Sequence, residues 1–322
     1  MPELTVSIVN YKTPDLVVEC IASLKAHAPG RARLNIVVVD NDSGDDSLAI
    51  IGRAHPDITL IDAGGNLGFA AGNNLVLRDC RSGFVLLLNS DTLVEAGTLD
   101  HMLQALQEHP EVGAVSGRVV NASDGQDQDY PCHFPSLVGM VRRAIGGPEY
   151  PAQGHEEPLP LERLHGACLM IRGSLLRSVG LLDDAFFMYD EDVDWCTRAR
   201  REGWELWLVP AARVLHHGGA SSGRKPSGTR ASLEASATAL RMRYELRRSR
   251  YLLYRKHRSL WEVLALKALT DAAMALGCLK ALGIWLVDPA RREAAQAWWR
   301  SNLRIMALNP FELGAPAHKG HA

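Results

Sequence analysis

The chain has 322 residues, enough for two domains of ordinary size or one large domain with an appendage. Hydrophobic residues make up 47% and charged residues 22%, ordinary globular usage that excludes a disordered or collagen-like chain. The 35 Lys and Arg against 37 Asp and Glu leave a net charge of −2, which excludes a uniformly basic nucleic-acid binder. Six cysteines without a CxxC pair predict neither a disulfide scaffold nor a zinc finger, and a reducing cytosol fits them best. Met1 to Asn10 carries Glu3 and no basic leader, so no secretory signal is expected there.

Leu4 to Val9 is rich in β-branched residues and reads as a buried first strand ending at Asn10-Tyr11. Thr13-Pro14 then supplies a helix start, with Leu16, Cys20 and Leu24 at helical spacing. Leu34 to Val39 is a short apolar run suited to a parallel strand covered on both faces. A short helix is expected over 47–54, a third strand over Ile58 to Ile61, and a helix from Phe69 to Asp79 after the loop Gly64 to Gly68. Phe84 to Leu88 is the next apolar strand, ending in Asn89-Ser90-Asp91. That alternation predicts an α/β class.

Residues 117–163 lose this rhythm and read as a long loop or insertion. A strand around Gly166 to Ile171, a helix from near Tyr189 to Gly203 and a strand from Glu205 to Val209 follow. From Arg224 the character changes: residues 224–258 carry a net +9, leaving −11 for the rest of the chain. Residues 261–287 are largely apolar, and the charges Glu262, Lys267, Asp271 and Lys280 fall on one half of a helical wheel. Trp261, Leu264, Leu269, Leu276, Leu279, Leu282 and Leu286 fall on the other half. A spanning helix wants ~20 nearly uninterrupted apolar residues, so an interfacial or packing helix is expected here.

In open α/β sheets ligands sit beyond the carboxyl ends of the strands, where Asn10-Tyr11, Asp40-Asn41-Asp42-Ser43 and Asn89-Ser90-Asp91 fall. Asp40 suits hydrogen bonds from a base or ribose, though an Asx turn with a helix cap uses the same residues. Asn66-Leu67-Gly68-Phe69-Ala70-Ala71-Gly72-Asn73 lets backbone approach a ligand closely at a helix start. Asp91 is placed either to hold a divalent ion against a diphosphate or to cap a turn. Four acids crowd into five positions in Asp190-Glu191-Asp192-Val193-Asp194. The macrodipole favours acids there, but mutual repulsion raises carboxylate pKa, which suits a general base. Pairing of Asp194 with Arg198 at i,i+4 would leave Asp192 the freer base. His216-His217 beside glycines offers a late metal ligand, against the commoner structural histidine.

Taken in order, these motifs resemble the family 2 inverting glycosyltransferases of GT-A fold, particularly bacterial rhamnosyltransferase-like members. The resemblance runs through roughly residues 4–221 and is carried by Asn66 to Asn73, Leu88-Asn89-Ser90-Asp91, Phe187 to Asp194 and His216-His217-Gly218-Gly219-x-Ser221. It implies an α/β GT-A mixed sheet with helices on both faces over 1–223, and a basic, amphipathic helical region over 224–322. It implies transfer of a sugar, with a lean to L-rhamnose from dTDP-rhamnose, to a hydroxyl of a glycan or polyprenyl-diphosphate-linked glycan in cell-surface polysaccharide synthesis. A UDP- or GDP-hexose donor is the nearest alternative.

By the same resemblance Asp192 is the catalytic base, and Asp91 and His216 hold a divalent cation, Mg²⁺ or Mn²⁺, with His217 the alternative to His216. Asn10, Tyr11, Asp40, Asn41, Asn66, Gly68, Phe69, Asn73, Asn89 and Ser90 line the nucleotide-sugar side, and Gly166 and Glu191 the acceptor side. Asn89 stands where the family's DxD motif begins, so the metal rests on one carboxylate of that motif. An anionic membrane surface is the expected partner of residues 224–287, which puts the protein in the cytoplasm, peripheral on the inner face of the plasma membrane.

An oxidoreductase would want GxGxxG where Asn10-Tyr11-Lys12-Thr13 stands, and a nucleotidyltransferase a Gly-rich basic loop near the N-terminus. A non-catalytic nucleotide-binding protein with a basic nucleic-acid-binding tail is the remoter alternative, and nucleic acid is not an expected partner.

Overall fold

The computed structural model describes residues 1–128, 132–144, 156–218 and 236–313. Gly219, Ser221 and the start of the basic run, from Arg224, lie outside the described residues. The chain divides into two compact units, one holding the described residues of 1–184 with 191–218 and the other those of 185–190 with 236–313.

The first unit begins with the predicted alternation: β1 (Glu3–Asn10), α1 (Pro14–Ala26), β2 (Arg33–Asp40), α2 (Ser47–Ala54), β3 (Thr59–Asp62), α3 (Gly68–Leu77) and β4 (Phe84–Asn89). Then come β5 (Thr92–Val94), α4 (Thr98–Glu108), β6 (Val112–Asn121), α5 (Leu137–Ala144), β7 (Leu159–Pro160), β8 (Cys168–Arg172), α6 (Gly173–Val179), α7 (Glu191–Arg201) and β9 (Glu205–His216). The sheet runs β3-β2-β1-β4-β8-β6-β9-β5, with β7 on β9. Strands β1 to β4 pair in parallel, β8 runs antiparallel to both β4 and β6, and β6 and β9 are parallel.

Alternation along β4 explains the layering. Leu86 and Leu88 join the core under α1, α2 and α4, while Val85 and Leu87 join the core under α3, α6 and α7. Met170 and Leu169 of β8 divide the same way. A central strand apolar on both faces is what helices on both sides require, and each fully buried Leu contributes roughly 1.5–3 kcal/mol.

The connections leave β1 toward β2 and β3, then return past β1 to β4, so the order reverses between β1 and β4, where α/β sheets bind ligands. Register brings the polar ends level there: Asn10 pairs with Asp40, and Val9 with Asn89. His216 ends β9 opposite Thr92 and Asn121, and β8 starts at Cys168 opposite Leu88. The tip of β9 and the residues entering β8 therefore share the carboxyl edge of β4.

The structure corrects several expected boundaries. The segment 117–163 is not loop throughout, since β6 runs to Asn121 and α5 and β7 lie within it. β9 does not stop at Val209. Pairing with β6 slips between Gly117 and Arg118, so that Pro210 to Ala212 bulge out and the strand resumes at Arg213. A Cβ on Gly117 would stand 2.8 Å from the Ala212 carbonyl oxygen, so glycine permits that bulge. Helix α7 begins at Glu191 rather than Tyr189, because Tyr189 and Asp190 take left-handed backbone (φ 70° and 64°).

The second unit contains α8 (Ala237–His257), α9 (Leu260–Val287) and α10 (Arg292–Met306). Ser236 caps α8, and Ser259 with Glu262 forms a capping box on α9. Within this unit Arg250 pairs with Asp190 at 2.6 Å, and Ser249 donates to the Met188 carbonyl. Helix α9 buries Val263, Leu266, Thr270, Met274, Cys278 and Ala281, a stripe at 3–4 residue spacing.

The charges of the polar half flank that buried stripe. Lys267 pairs with Asp271 and donates to the Met306 carbonyl, both side chains half-buried. The opposite, apolar half is what stands exposed, with Trp261 at 77%, Leu276 at 67% and Leu279 at 64%. By length and composition α9 is sufficient to cross a membrane, against the expectation from its four charges.

Candidate active site

The loop after β1 is organised by Asn10, which is fully buried. Its amide donates to Asp40 (2.7 Å) and Ser43 (3.0 Å), and its carbonyl accepts from the Thr13 amide and hydroxyl. The Thr13 hydroxyl also reaches Ser90, tying the β1 loop to the β4 loop. Asp40 closes a turn by accepting from the Ser43 amide and hydroxyl, the arrangement anticipated as the alternative to base contact.

The loop after β2 is bound to the start of α3. Asn41 accepts from the Leu67 amide at 2.8 Å and donates to Asn66 at 3.2 Å. Asn66 accepts in turn from the Gly68 amide, and Gly68 has φ 81°, which glycine adopts without strain. Asn73 is buried, accepting from Ser7 and donating to the Phe69 carbonyl, so its amide braces α3 against β1. Of the residues expected around a nucleotide sugar, Asn10, Asn41 and Asn73 thus hold three loops in place.

A second cluster lies at the ends of β4 and β9. The Oδ1 of Asp91 is 3.2 Å from Nε2 of His216, and Asn89 Nδ2 is 3.3 Å from the same nitrogen. His216 is buried, whereas His217 is exposed and meets Asp91 only by donating its backbone N–H to the Asp91 carbonyl. Of the two histidines, His216 is the one whose ring faces the carboxylate. Among the described residues no group of three or more His, Cys, Asp and Glu converges as a metal cage. One carboxylate with one imidazole is a mixed oxygen–nitrogen pair that fits Mn²⁺ better than all-oxygen Mg²⁺ or Ca²⁺ chemistry, with the remaining positions open to phosphate oxygens and water.

The third cluster surrounds Asp192 in the first turn of α7. Its Oδ2 accepts from the Gly166 N–H at 3.1 Å and lies 3.5 Å from Nη2 of Arg163, while Oδ1 accepts from the Val193 N–H at 2.8 Å. A Cβ on Gly166 would come within 3.4 Å of the Asp192 side chain, so the close approach uses the missing side chain. Nε of Arg163 is buried with no hydrogen-bond partner. Asp194, fully buried, pairs with Arg198 at 2.9 Å as its spacing predicted. Asp190, Asp192 and Asp194 of this run each face a different arginine.

His165, next to Gly166, joins the second and third clusters. Its ring centroid is 6.1 Å from that of His216, and its Nδ1 accepts from the Ala167 N–H at 3.0 Å. Burial first, then the neighbouring His216 and Arg163, push the imidazole down to about 3, so it stays neutral. Arg163, His165 and Gln128 were not among the expected site residues. His165 immediately precedes Gly166 and Arg163 stands three residues before it, but nothing in residue spacing marks Gln128.

A neutral histidine, a carboxylate–imidazole pair and a separately held carboxylate thus stand near one sheet edge. Residues 5–194 match the family described as "Glycosyl transferase family 2". The chain belongs to this family. It is 31% identical over 215 residues to the N-acetylglucosaminyl-diphospho-decaprenol L-rhamnosyltransferase of Mycobacterium tuberculosis (strain ATCC 25618 / H37Rv), covering 60% of this chain and 70% of that protein. It is 31% identical over 223 residues to a low-salt glycan biosynthesis hexosyltransferase of Haloferax volcanii, covering 67% and 68% of the two chains.

Among solved structures, it is similar to a Pyrobaculum calidifontis mannosyltransferase in complex with GDP-Man and Mn²⁺, with a TM-score of 0.55 and 20% identity over 95% of this chain and 85% of that one. The fold is thus the GT-A glycosyltransferase fold with added C-terminal helices, and this family 2 member is a glycosyltransferase.

Proposed function

We propose that this glycosyltransferase moves a hexose, L-rhamnose from dTDP-rhamnose, with inversion onto a hydroxyl of a polyprenyl-diphosphate-linked glycan in cell-surface polysaccharide synthesis. The observation carrying the reading is the His165-Gly166 dipeptide, whose glycine binds Asp192 while its histidine ring neighbours His216 of the Asp91 pair. One carboxylate is then available to the acceptor and another to the donor's diphosphate.

In this reading Asp192 takes the proton of the acceptor hydroxyl. The oxygen attacks the anomeric carbon from the face opposite the leaving nucleoside diphosphate, and a single displacement inverts the centre. The C–O bond to the acceptor forms as the bond to the diphosphate breaks. Asp91 and His216 hold a divalent cation, which when bound neutralises the charge developing on the diphosphate. Asp40, Tyr11 and the 66–69 loop flank the nucleotide, and Gly166 and Glu191 the acceptor. The choice of sugar and acceptor rests on the mycobacterial relative, whose name specifies both L-rhamnose and a diphospho-decaprenol carrier.

The same reading places the protein in the cytoplasm, peripheral on the inner face of the plasma membrane. The outward apolar half of α9 supports this, as do the exposed Arg255, Lys256 and Arg258 before it and Arg291 and Arg292 after it. The deciding experiment offers purified protein dTDP-, UDP- and GDP-sugars with Mn²⁺ or Mg²⁺ and a lipid-diphosphate-linked N-acetylhexosamine. Release of dTDP and a product of inverted anomeric configuration by NMR are expected. Retention, or release with UDP- or GDP-sugars alone, overturns the mechanism or the donor respectively.

A further inference from the structure

Gln128 sits in the stretch after β6 that the sequence leaves without a role, yet it makes two hydrogen bonds to one residue. The His216 ring Nδ1 lies 2.8 Å from Gln128 Oε1, and Gln128 Nε2 donates to the His216 carbonyl at 3.0 Å. The second bond fixes which end of the amide faces the ring. Since Oε1 can only accept, Nδ1 must carry the proton. The other nitrogen, Nε2, is thereby aimed at the space shared by Asn89 Nδ2, 3.3 Å away, and the Asp91 carboxylate, 3.2 Å away.

The support behind Gln128 is itself built. Its N–H donates to the Val119 carbonyl at 2.9 Å, anchoring it to β6. The preceding Asp127 is gripped through both oxygens by Arg118 of β6, at 2.7 and 2.8 Å. Gly218, at φ +66°, turns the chain past the Gln128 amide, which a Cβ there would meet at 3.5 Å. An exposed loop glutamine with one adventitious contact would need none of this.

We infer that Gln128 is a positioning residue for the cation site, clamping His216 by ring and backbone so that Nε2 is aimed beside Asp91. The inference rests on the reading of Asp91 and His216 as the cation's ligands. The physical reason is general: an outer partner on the distal nitrogen of a ligating histidine sets its tautomer and ring orientation, and its loss weakens metal binding by about 10–100-fold. Asp91 needs no such clamp, since either carboxylate oxygen can ligate, whereas an imidazole offers one lone pair in one direction.

The test measures Mn²⁺ binding by electron paramagnetic resonance of the free ion, in the presence of nucleoside diphosphate and with no sugar transfer. Gln128→Leu keeps volume and removes both hydrogen bonds, and should weaken Mn²⁺ binding about 10–100-fold. Gln128→Glu keeps the acceptor for Nδ1 and should stay within about threefold of the parent. His216→Ala tests the underlying reading. If it leaves Mn²⁺ binding unchanged, the cation site falls and the inference with it. If it weakens binding while Gln128→Leu does not, the cation site stands and the role of Gln128 is overturned. Equal loss in the Leu and Glu variants, tracking a lowered melting temperature, would reduce Gln128 to a loop support. Should Gln128→Leu fail to fold, nitrogen NMR of the parent protein's histidines decides: His216 protonated on Nδ1 is expected, and protonation on Nε2 alone overturns the inference.

Discussion

The guanidinium of Arg163 lies 3.5 Å from the carboxylate of Asp192, and both side chains are only 12% exposed. A buried cation against the proposed base restrains the carboxylate together with the Gly166 and Val193 N–H groups. A largely buried ion pair of this kind contributes on the scale of a hydrogen bond to a charged group, about 1.5–3 kcal/mol. Arg163→Gln should therefore lower kcat by about 10- to 100-fold with little change in donor KM. Arg163→Lys should recover part of the loss. In an Asp192→Asn background the Arg163 substitution should cost little more, because the group it positions is gone. Steady-state kinetics on the four proteins of that cycle check this, and full additivity would mean that Arg163 acts elsewhere.

Asp192→Asn alone keeps size and shape but cannot take a proton. A general base contributes ~10² to 10⁴ in rate, and the variant should lose that much in kcat. Calorimetric binding of the nucleoside diphosphate with Mn²⁺ should be unchanged, since no hydrogen bond joins Asp192 to Asp91 or His216 among the described residues. Near-normal turnover would remove Asp192 from the role.

Much of this was legible in the sequence where local chemistry is repetitive. The β1–β4 half announces itself because buried parallel strands are apolar runs and their ends are polar, so Asn10, Asp40 and Asn89 could be placed on one edge. Asp194 with Arg198 was readable because helical spacing alone makes them meet. The bulge at Pro210 was not, since its cause is a register slip against Gly117, a residue far away in sequence. Nor was Gln128, whose meaning comes entirely from the arrival of β9 beside β6. Which half of α9 is covered was not legible either. A wheel separates two halves but does not say which one the neighbouring helices cover, and here they cover the side that carries Lys267 and Asp271.

Burial also sets a pH response. Desolvation pushes the thiols of Cys20, Cys168 and Cys196 well above their ordinary range, up to about 12. The folded chain then keeps protons that the unfolded chain releases as pH rises past about 9. Their contribution is fully present below that pH and declines up to about 12, by ~1.4 kcal/mol per pH unit for each thiol. Denaturant midpoints should fall steeply above pH 9, and a thiol reagent at pH 8 should label these three only on unfolding. Rapid labelling of all six cysteines in the native protein would contradict the burial.

The outward half of α9 makes the sharpest surface prediction. Leu276 and Leu279 are 67% and 64% exposed, so replacing both with Glu should leave the melting temperature nearly unchanged. If that face lies in the boundary between headgroups and acyl chains, each leucine contributes roughly 1.5–3 kcal/mol to the bound state. The double variant should then partition onto vesicles at least about a hundredfold more weakly. Sedimentation with vesicles containing a third phosphatidylglycerol should pellet the parent protein and leave Leu276→Glu/Leu279→Glu in the supernatant. Added salt should weaken the parent's binding only in part, because the flanking arginines and lysines act through screened charge while the leucines do not. Equal pelleting of the two proteins, or loss of all binding in salt alone, would mean that this face is not what meets the lipid.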